Sequence, residues 1–326
     1  MQAEGGNLMK IVILDGYALN PGDLDYGVLE QFGSVTIYPR TETESEAISR
    51  IGDAEILLIN KVPITDTLLD ACPNLRYIGV QATGYNVVDC AACKKRGIIV
   101  TNVPAYGTPA VAQFTLALIL ELCHQIGVHN SSVHRGDWIK SDSFCYWLTP
   151  QMELVGKTLG IIGFGSIGQS VARLAKAFGI HVLACSRTQY PGMEDLAEYV
   201  DMDRLLQESD IISLHCPLFP ETKNMINAES IAKMKDGAML INTARGALID
   251  EYALADALNS GKIRGAAVDV VIEEPMNPNT PLLAAPNCII TPHIAWAPVE
   301  SRQRLLNCVV ENIHCFLTGN PQNVVN

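Results

Sequence analysis

Leu159-Gly160-Ile161-Ile162-Gly163-Phe164-Gly165-Ser166-Ile167-Gly168 decides how this chain folds. An apolar run leads into three glycines spaced GxGxxG, and a helical segment follows. The glycines alone are a weak signal. A strand before them and a helix after them is the context that a phosphate loop needs. Gly163 would allow the tight turn, and Gly165 would let the backbone approach a pyrophosphate. Gly168 would let helix and strand pack closely. With Ser166 and Ile167 between them, the free N–H groups and positive dipole of the helix start favour an anion. An ordinary turn, or a methyltransferase holding an adenosyl cofactor, would be other uses of the same glycines. The residue that reads the ribose belongs about 20 positions further on, at the end of the second strand. Cys185-Ser186-Arg187-Thr188 stands there, without a carboxylate.

Around this loop, short Ile/Val-rich runs alternate with helical segments. After Gly156 the strands read 158–163, 181–185, 210–215, 239–242, 265–270 and 288–290, with helices such as 168–178 and 251–260 between them. Before it they read 10–14, 34–38, 55–59, 76–80 and 98–102, with helices at 45–51 and 65–72. Nearly continuous apolar strands are buried on both faces, and strand–helix alternation gives parallel sheets. The chain is therefore read as α/β, with two doubly wound parallel-sheet domains. The apolar segment 109–123 connects them. The helical segment 299–317 has nothing after it to pair with and crosses back onto the first domain. The first domain is thus placed at residues 1–104 and 297–326, and the second, the dinucleotide-binding domain that holds the glycine loop, at 105–296.

Composition narrows the function. The 326 residues are 48% hydrophobic and 18% charged, which excludes disorder as the main state. The 23 basic and 35 acidic residues give a net charge of −12, poorly suited to nucleic acid or an anionic membrane. The longest apolar run, 111–123, is interrupted by Gln113 and Glu121 and falls short of the ~20 residues a bilayer needs. No secretory signal opens the chain, so a cytoplasmic protein is expected. The polar stretch 1–7 reads as a tail, and Met9 as a second candidate start. The 10 cysteines sit mostly in apolar runs, where a free thiol behaves as a small hydrophobe. Cys90-Ala-Ala-Cys93 has no second pair to complete a zinc site, and His124, His129 and His134 share no helix face. Asp201-Met202-Asp203 reads as a helix start, and no metal is expected.

Three further motifs lie at strand ends: Ile241-Asn242-Thr243-Ala244-Arg245-Gly246, Val268-Asp269-Val270 running to Glu274-Pro275, and Thr291-Pro292-His293-Ile294-Ala295-Trp296. Carboxyl ends of strands face the ligand crevice of a doubly wound sheet. Arg245, Glu274 and His293 are therefore expected to converge there. Glu273 is the rival to Glu274. Taken singly, each has an ordinary alternative: a structural histidine, a surface arginine, a helix-start carboxylate.

Together and in this order, these motifs resemble the D-isomer-specific 2-hydroxyacid dehydrogenase family, in particular its glycerate dehydrogenase / hydroxypyruvate reductase branch. The resemblance runs from Val80-Gln81-Ala82-Thr83-Gly84 to Asn323-Val324-Val325-Asn326. It implies a Rossmann-like cofactor domain, a flavodoxin-like substrate domain and hydride transfer between a nicotinamide cofactor and a small 2-hydroxy acid/2-oxo acid pair. His293 would exchange the substrate proton, and Glu274 would favour its charged form. Arg245 would hold the substrate carboxylate, together with the backbone N–H groups of Thr83 and Gly84. Asp269 would fix the nicotinamide carboxamide, and Cys216, Pro217, Thr222, Thr243, Ala244 and Ala295 would line the cofactor. Two residues depart from the pattern: Gln113 replaces a common Glu, and Ser186 replaces the usual acidic residue. The second departure favours NADP over NAD, with Ser186, Arg187 and Thr188 facing the extra phosphate. The resemblance also implies a homodimer, built on helix 111–123 and the loop from Trp138 to Trp147. Trp138, Phe144, Tyr146 and Trp147 could equally form an ordinary hydrophobic cluster. A dinucleotide-sensing corepressor and a phosphoglycerate dehydrogenase without a regulatory domain are the alternative functions.

Overall fold

The computed structural model describes residues 9–326. The expected tail over residues 1–7 lies outside the described residues. The chain divides into two compact units: one ends at Gly107 and resumes at Ala297–Asn326, and the other is Thr108–Trp296.

The first unit begins with β1 (Met9–Ile13), α1 (Gly16–Leu19), β2 (Gly33–Ile37), α2 (Glu44–Ile51), β3 (Ile56–Ile59), α3 (Asp66–Ala71), β4 (Tyr77–Val80), α4 (Cys90–Lys95) and β5 (Ile99–Thr101). Thr43, Thr65 and Asp89 cap α2, α3 and α4 by accepting from Glu46, Leu68 and Ala92 N–H. Every residue of β3 and β4 is buried, because helices cover both faces. The strand order is β2-β1-β3-β4-β5, parallel throughout, which is the flavodoxin-like order.

The second unit holds α5 (Thr108–His124), α6 (Ile126–His134), β6 (Thr158–Ile162), α7 (Ser166–Ala177), β7 (His181–Cys185), β8 (Glu198–Tyr199), α8 (Met202–Glu208), β9 (Ile211–Leu214), α9 (Ala228–Lys233), β10 (Ala238–Asn242), α10 (Glu251–Ser260), β11 (Ile263–Val268) and β12 (Cys288–Ile290). Its sheet order is β12-β11-β10-β9-β6-β7-β8, again parallel. The chain reverses direction across the sheet between β6 and β9, where such sheets bind ligands. Finally, α11 (Val299–Leu317) belongs to the first unit. Its Arg302 donates to both oxygens of Asp23, at 2.6 Å each, and to Leu19 O at 3.0 Å. Arg302 holds the Asp23 carboxyl below the usual carboxylate range.

Some expectations shift. The two-residue edge strand β8 carries no apolar run and was not anticipated. The apolar connecting helix extends to His124, breaks at Gln125 (φ 45°) and continues as α6. No single helix among the described residues is long and apolar enough to cross a membrane; this bent pair passes only on length and composition, with a 58° break. Asp201 caps α8 by accepting from Arg204 N–H at 2.8 Å. β11 stops at Val268, so Asp269 and Val270 open the following loop instead of ending the strand.

Candidate active site

The geometry of the glycine loop follows from what side chains would strike. A Cβ on Gly163 (φ +93°) would lie 2.5 Å from Cys216 N, and one on Gly168 would lie 2.3 Å from Gly163 O. Both positions are closed to any larger residue. A Cβ on Gly165 would meet nothing within 4 Å. Gly165 is also the N-cap of α7, with no side chain satisfying the first turn. The loop thus leaves an open approach to a helix start with free N–H donors, which fits the pyrophosphate of a dinucleotide. α7 begins at Ser166, two residues earlier than expected, so Gly168 lies inside its first turn. Ile167 packs against the core of this unit.

Ser186, Arg187 and Thr188 follow β7 on one side of this loop, and Cys216 and Pro217 follow β9 on the other. Thr222 has a different task from lining alone. Its hydroxyl donates to Pro217 O at 2.9 Å and accepts from Phe219 N–H at 2.8 Å, pinning the turn. The Cys216 thiol donates to Met225 Sδ at 3.7 Å, and burial pushes its pKa up. His215 lies half-buried beside them, with Nε2 2.8 Å from Ser213 Oγ. The surrounding protein desolvates the ring and pushes its pKa down to about 4.

The motifs after β10, β11 and β12 form the second half. The fully buried side chain of Asn242 donates to Arg245 O at 2.9 Å and accepts from Ala244 N–H at 3.0 Å. Thr243 Oγ1 lies 3.1 Å from Thr115 Oγ1. Arg245 is exposed, and its guanidinium donates to Ala244 O at 2.7 Å. A Cβ on Gly246 would sit 2.0 Å from the carbonyl of Val271, so only glycine lets this turn press against the segment leading to Glu274. Glu251 accepts from Ile272 N–H at 2.8 Å and from Thr280 Oγ1 at 2.7 Å, fixing that segment from below.

His293 and Glu274 meet: Nδ1 lies 2.7 Å from Glu274 Oε2. The carboxylate can only accept, so Nδ1 carries the hydrogen and Nε2 is the nitrogen left for proton exchange. Glu274 Oε1 also accepts from Val271 N–H at 3.2 Å. Glu273 takes no part in this pair; it accepts from Asn277 Nδ2 at 3.0 Å. His293 itself has φ 55°, a left-handed backbone that costs a bulky residue about 1–3 kcal/mol unless its surroundings hold it. Asp269 holds it. Its main-chain oxygen accepts from His293 N–H at 2.8 Å, and its carboxylate accepts from Thr291 Oγ1 (2.6 Å), Ile294 N–H (2.9 Å) and Ala295 N–H (2.8 Å). Of roughly four acceptor sites on a carboxylate, one remains for a ligand. Trp296 Nε1 closes the loop by donating to His293 O at 2.8 Å.

In the first unit, Thr83 and Gly84 follow β4 at the carboxyl end of the sheet. Thr83 Oγ1 donates to Val103 O at 2.9 Å, and Asn102 Nδ2 donates to Thr83 O at 2.7 Å. Among the described residues, the N–H groups of Thr83 and Gly84 have no acceptor.

A glycine cradle after β6, open to a pyrophosphate, and a histidine after β12 paired with a carboxylate after β11 lie on one sheet and set the frame for comparison with known proteins. Residues 116–295 match the family profile described as D-isomer specific 2-hydroxyacid dehydrogenase, NAD binding domain. The chain is 53% identical to a hydroxypyruvate reductase of Blautia hydrogenotrophica, over 98% of this chain and 100% of the relative. It is 44% identical to a glycerate dehydrogenase of Methylorubrum extorquens, over 97% of this chain and 98% of the relative. This chain belongs to the D-isomer-specific 2-hydroxyacid dehydrogenase family. Among solved structures, an acyclic imino acid reductase in complex with NADPH and D-Arg superposes with a TM-score of 0.84 at 32% identity, covering 98% of this chain and all of the other. As a family member, the protein is an NAD(P)-dependent oxidoreductase acting between a 2-hydroxy acid and a 2-oxo acid.

Sequence reasoning missed Asn242, Gly246, Glu251, Thr291 and Trp296. Asn242, Gly246, Thr291 and Trp296 stand inside the quoted motifs beside the residues singled out. Glu251 carried no signal, since a first-turn glutamate ordinarily serves the helix dipole.

Proposed function

We propose that this protein reduces a small 2-oxo acid, hydroxypyruvate or glyoxylate, to the corresponding D-2-hydroxy acid, with NADPH preferred over NADH. The contact that carries the reading is His293 Nδ1 to Glu274 Oε2 at 2.7 Å. When bound, the reduced nicotinamide supplies the hydride that adds to the substrate's C2. The electron pair of the C=O bond moves onto oxygen, and that oxygen takes the proton from His293 Nε2. Glu274 keeps Nδ1 hydrogenated and balances the imidazolium charge. Arg245 holds the substrate carboxylate through its forked donors and polarises the carbonyl. The cradle of Gly163, Gly165 and Gly168 holds the pyrophosphate, and Ser186, Arg187 and Thr188 face the adenosine ribose. A panel of 2-oxo acids assayed with both reduced cofactors tests the reading. Absence of turnover on hydroxypyruvate and glyoxylate alike would sink it.

The cofactor preference rests on position 186. A carboxylate there would bind the ribose hydroxyls of NAD and repel a 2′-phosphate. Ser186 removes the repulsion, and Arg187 adds a cation. Ser186→Asp with Arg187→Ala is expected to move the preference at least about tenfold toward NADH, since charge-assisted bonds are worth roughly 1.5–3 kcal/mol and ~1.4 kcal/mol is tenfold. A ratio of kcat/KM values left unmoved, in a protein that already prefers NADH, would refute this assignment. All 10 cysteines are free, which suits a reducing compartment such as the cytoplasm.

The protein is further proposed to act as a homodimer. α5 spends most of its apolar surface inside its own unit. The loop after α6 does not: Phe144 is 89% exposed and Trp147 70%. Aromatic surface on this scale seeks a partner. Light scattering at micromolar concentration should give twice the 35.4 kDa chain mass. A monomer there would remove the claim.

A further inference from the structure

Arg187 and Phe219 come from the two strands that flank β6, and their side chains meet at the carboxyl edge of the sheet. The Arg187 Cζ lies 4.9 Å from the Phe219 ring centroid. Among the described residues, Arg187 has no carboxylate within ion-pair distance, so the ring is the contact that orients it. Phe219 is itself held, because Thr222 ties its N–H to Pro217 O through a single hydroxyl.

We propose that Phe219 is a positioning residue for Arg187 and thereby a determinant of selectivity for adenosine carrying a 2′-phosphate. The inference rests on the NADP reading above. An exposed arginine has many rotamers, and fixing one on binding a ligand costs entropy. A guanidinium resting on an aromatic face loses that freedom beforehand. The ring engages the face of the cation, so its in-plane N–H groups remain available to fork onto phosphate oxygens. Phe219 makes no demand on an unphosphorylated ribose, so its contribution is confined to the 2′-phosphate.

The test is binding of 2′,5′-ADP and of 5′-AMP to the full-length protein by calorimetry, which needs no turnover. Phe219→Leu should weaken 2′,5′-ADP about 2- to 5-fold, the size of an exposed cation–π contact, and leave 5′-AMP unchanged. Phe219→Tyr, which keeps the ring face, should bind both as wild type does. In an Arg187→Ala background, Phe219→Leu should add no further loss. If Arg187→Ala alone leaves 2′,5′-ADP binding unchanged, the NADP reading fails and takes this inference with it. If Arg187→Ala weakens 2′,5′-ADP but Phe219→Leu does not, only the role of Phe219 fails. Loss of both probes alike would mean a general packing role. A gain in both would mean that the stacked pair obstructs the adenosine. Either result overturns the proposal.

Discussion

Replacing His293 with glutamine is expected to cut turnover of a 2-oxo acid by about 10²–10⁴-fold, the ordinary size of a general acid–base contribution. Binding of the reduced nicotinamide cofactor should stay near wild type, because the glycine loop and the turn after β9 do not involve this side chain. The argument starts from geometry. Asp269 and Trp296 hold the His293 backbone in a left-handed turn through bonds of 2.6–2.9 Å, and Glu274 holds the ring through Nδ1. Glutamine keeps the size and a polar end but cannot exchange a proton at neutral pH. Steady-state turnover in the variant above half of wild type would remove His293 from the mechanism. Glu274→Gln tests the same pair from the other side. The amide can still hold Nδ1 through its oxygen, now at the place of a carboxylate 2.7 Å away, but it brings no negative charge to the charged ring. Loss of that charge-assisted bond should lower kcat/KM for the 2-oxo acid by about tenfold, the equivalent of ~1.4 kcal/mol. A kcat/KM within about twofold of wild type, well below the effect of one charge-assisted bond, would count against the pairing.

Arg245→Leu is expected to lower kcat/KM for the 2-oxo acid by about 10²–10³-fold. A forked pair of charge-assisted bonds to a carboxylate is worth on the order of 3–5 kcal/mol, and each ~1.4 kcal/mol is tenfold. Most of the loss should fall on KM if Arg245 only holds the ground-state carboxylate. A fall in kcat as well would show that it also polarises the carbonyl. Arg245→Lys should recover only part of the loss, because an ammonium supplies a point charge without the planar fork. Folding should be little affected. The side chain is exposed, and the turn beneath it is held by Asn242 and by the close approach of Gly246 to Val271, not by the guanidinium. Substrate kinetics within about threefold of wild type, well below one charge-assisted bond, would place the carboxylate elsewhere.

Much of the fold was legible in the residues because its signals are local. Strands such as Ile56–Ile59 read as continuous apolar runs, since the sheet buries them on both faces. α10 and α11 have the bounds their periodicity and flanking residues announce. Elements without such a signal escaped: β8 is a Glu-Tyr pair at a sheet edge, and α6 is separated from α5 by one left-handed residue. The end of β11 was misread because Asp269-Val270 continues the apolar run of the strand, although the chain has by then turned toward the loop of His293.

The sequence by itself determined the two doubly wound units and, through the motifs at the strand ends, the family. Those follow from spacing over a few residues: glycines at a turn, apolar alternation, a histidine or an arginine just past a strand. The resemblance already favoured Glu274 over its neighbour Glu273, and the tertiary structure supplies the physical reason: Glu274 Oε2 stands 2.7 Å from His293 Nδ1, while Glu273 turns to Asn277. Only the tertiary structure decided that Asp269 spends most of its acceptors on the loop of His293, and that Arg187 rests on Phe219. These partners stand tens of residues apart. They meet because parallel strand order carries distant segments to one sheet edge, and no local pattern encodes which side chains will then touch.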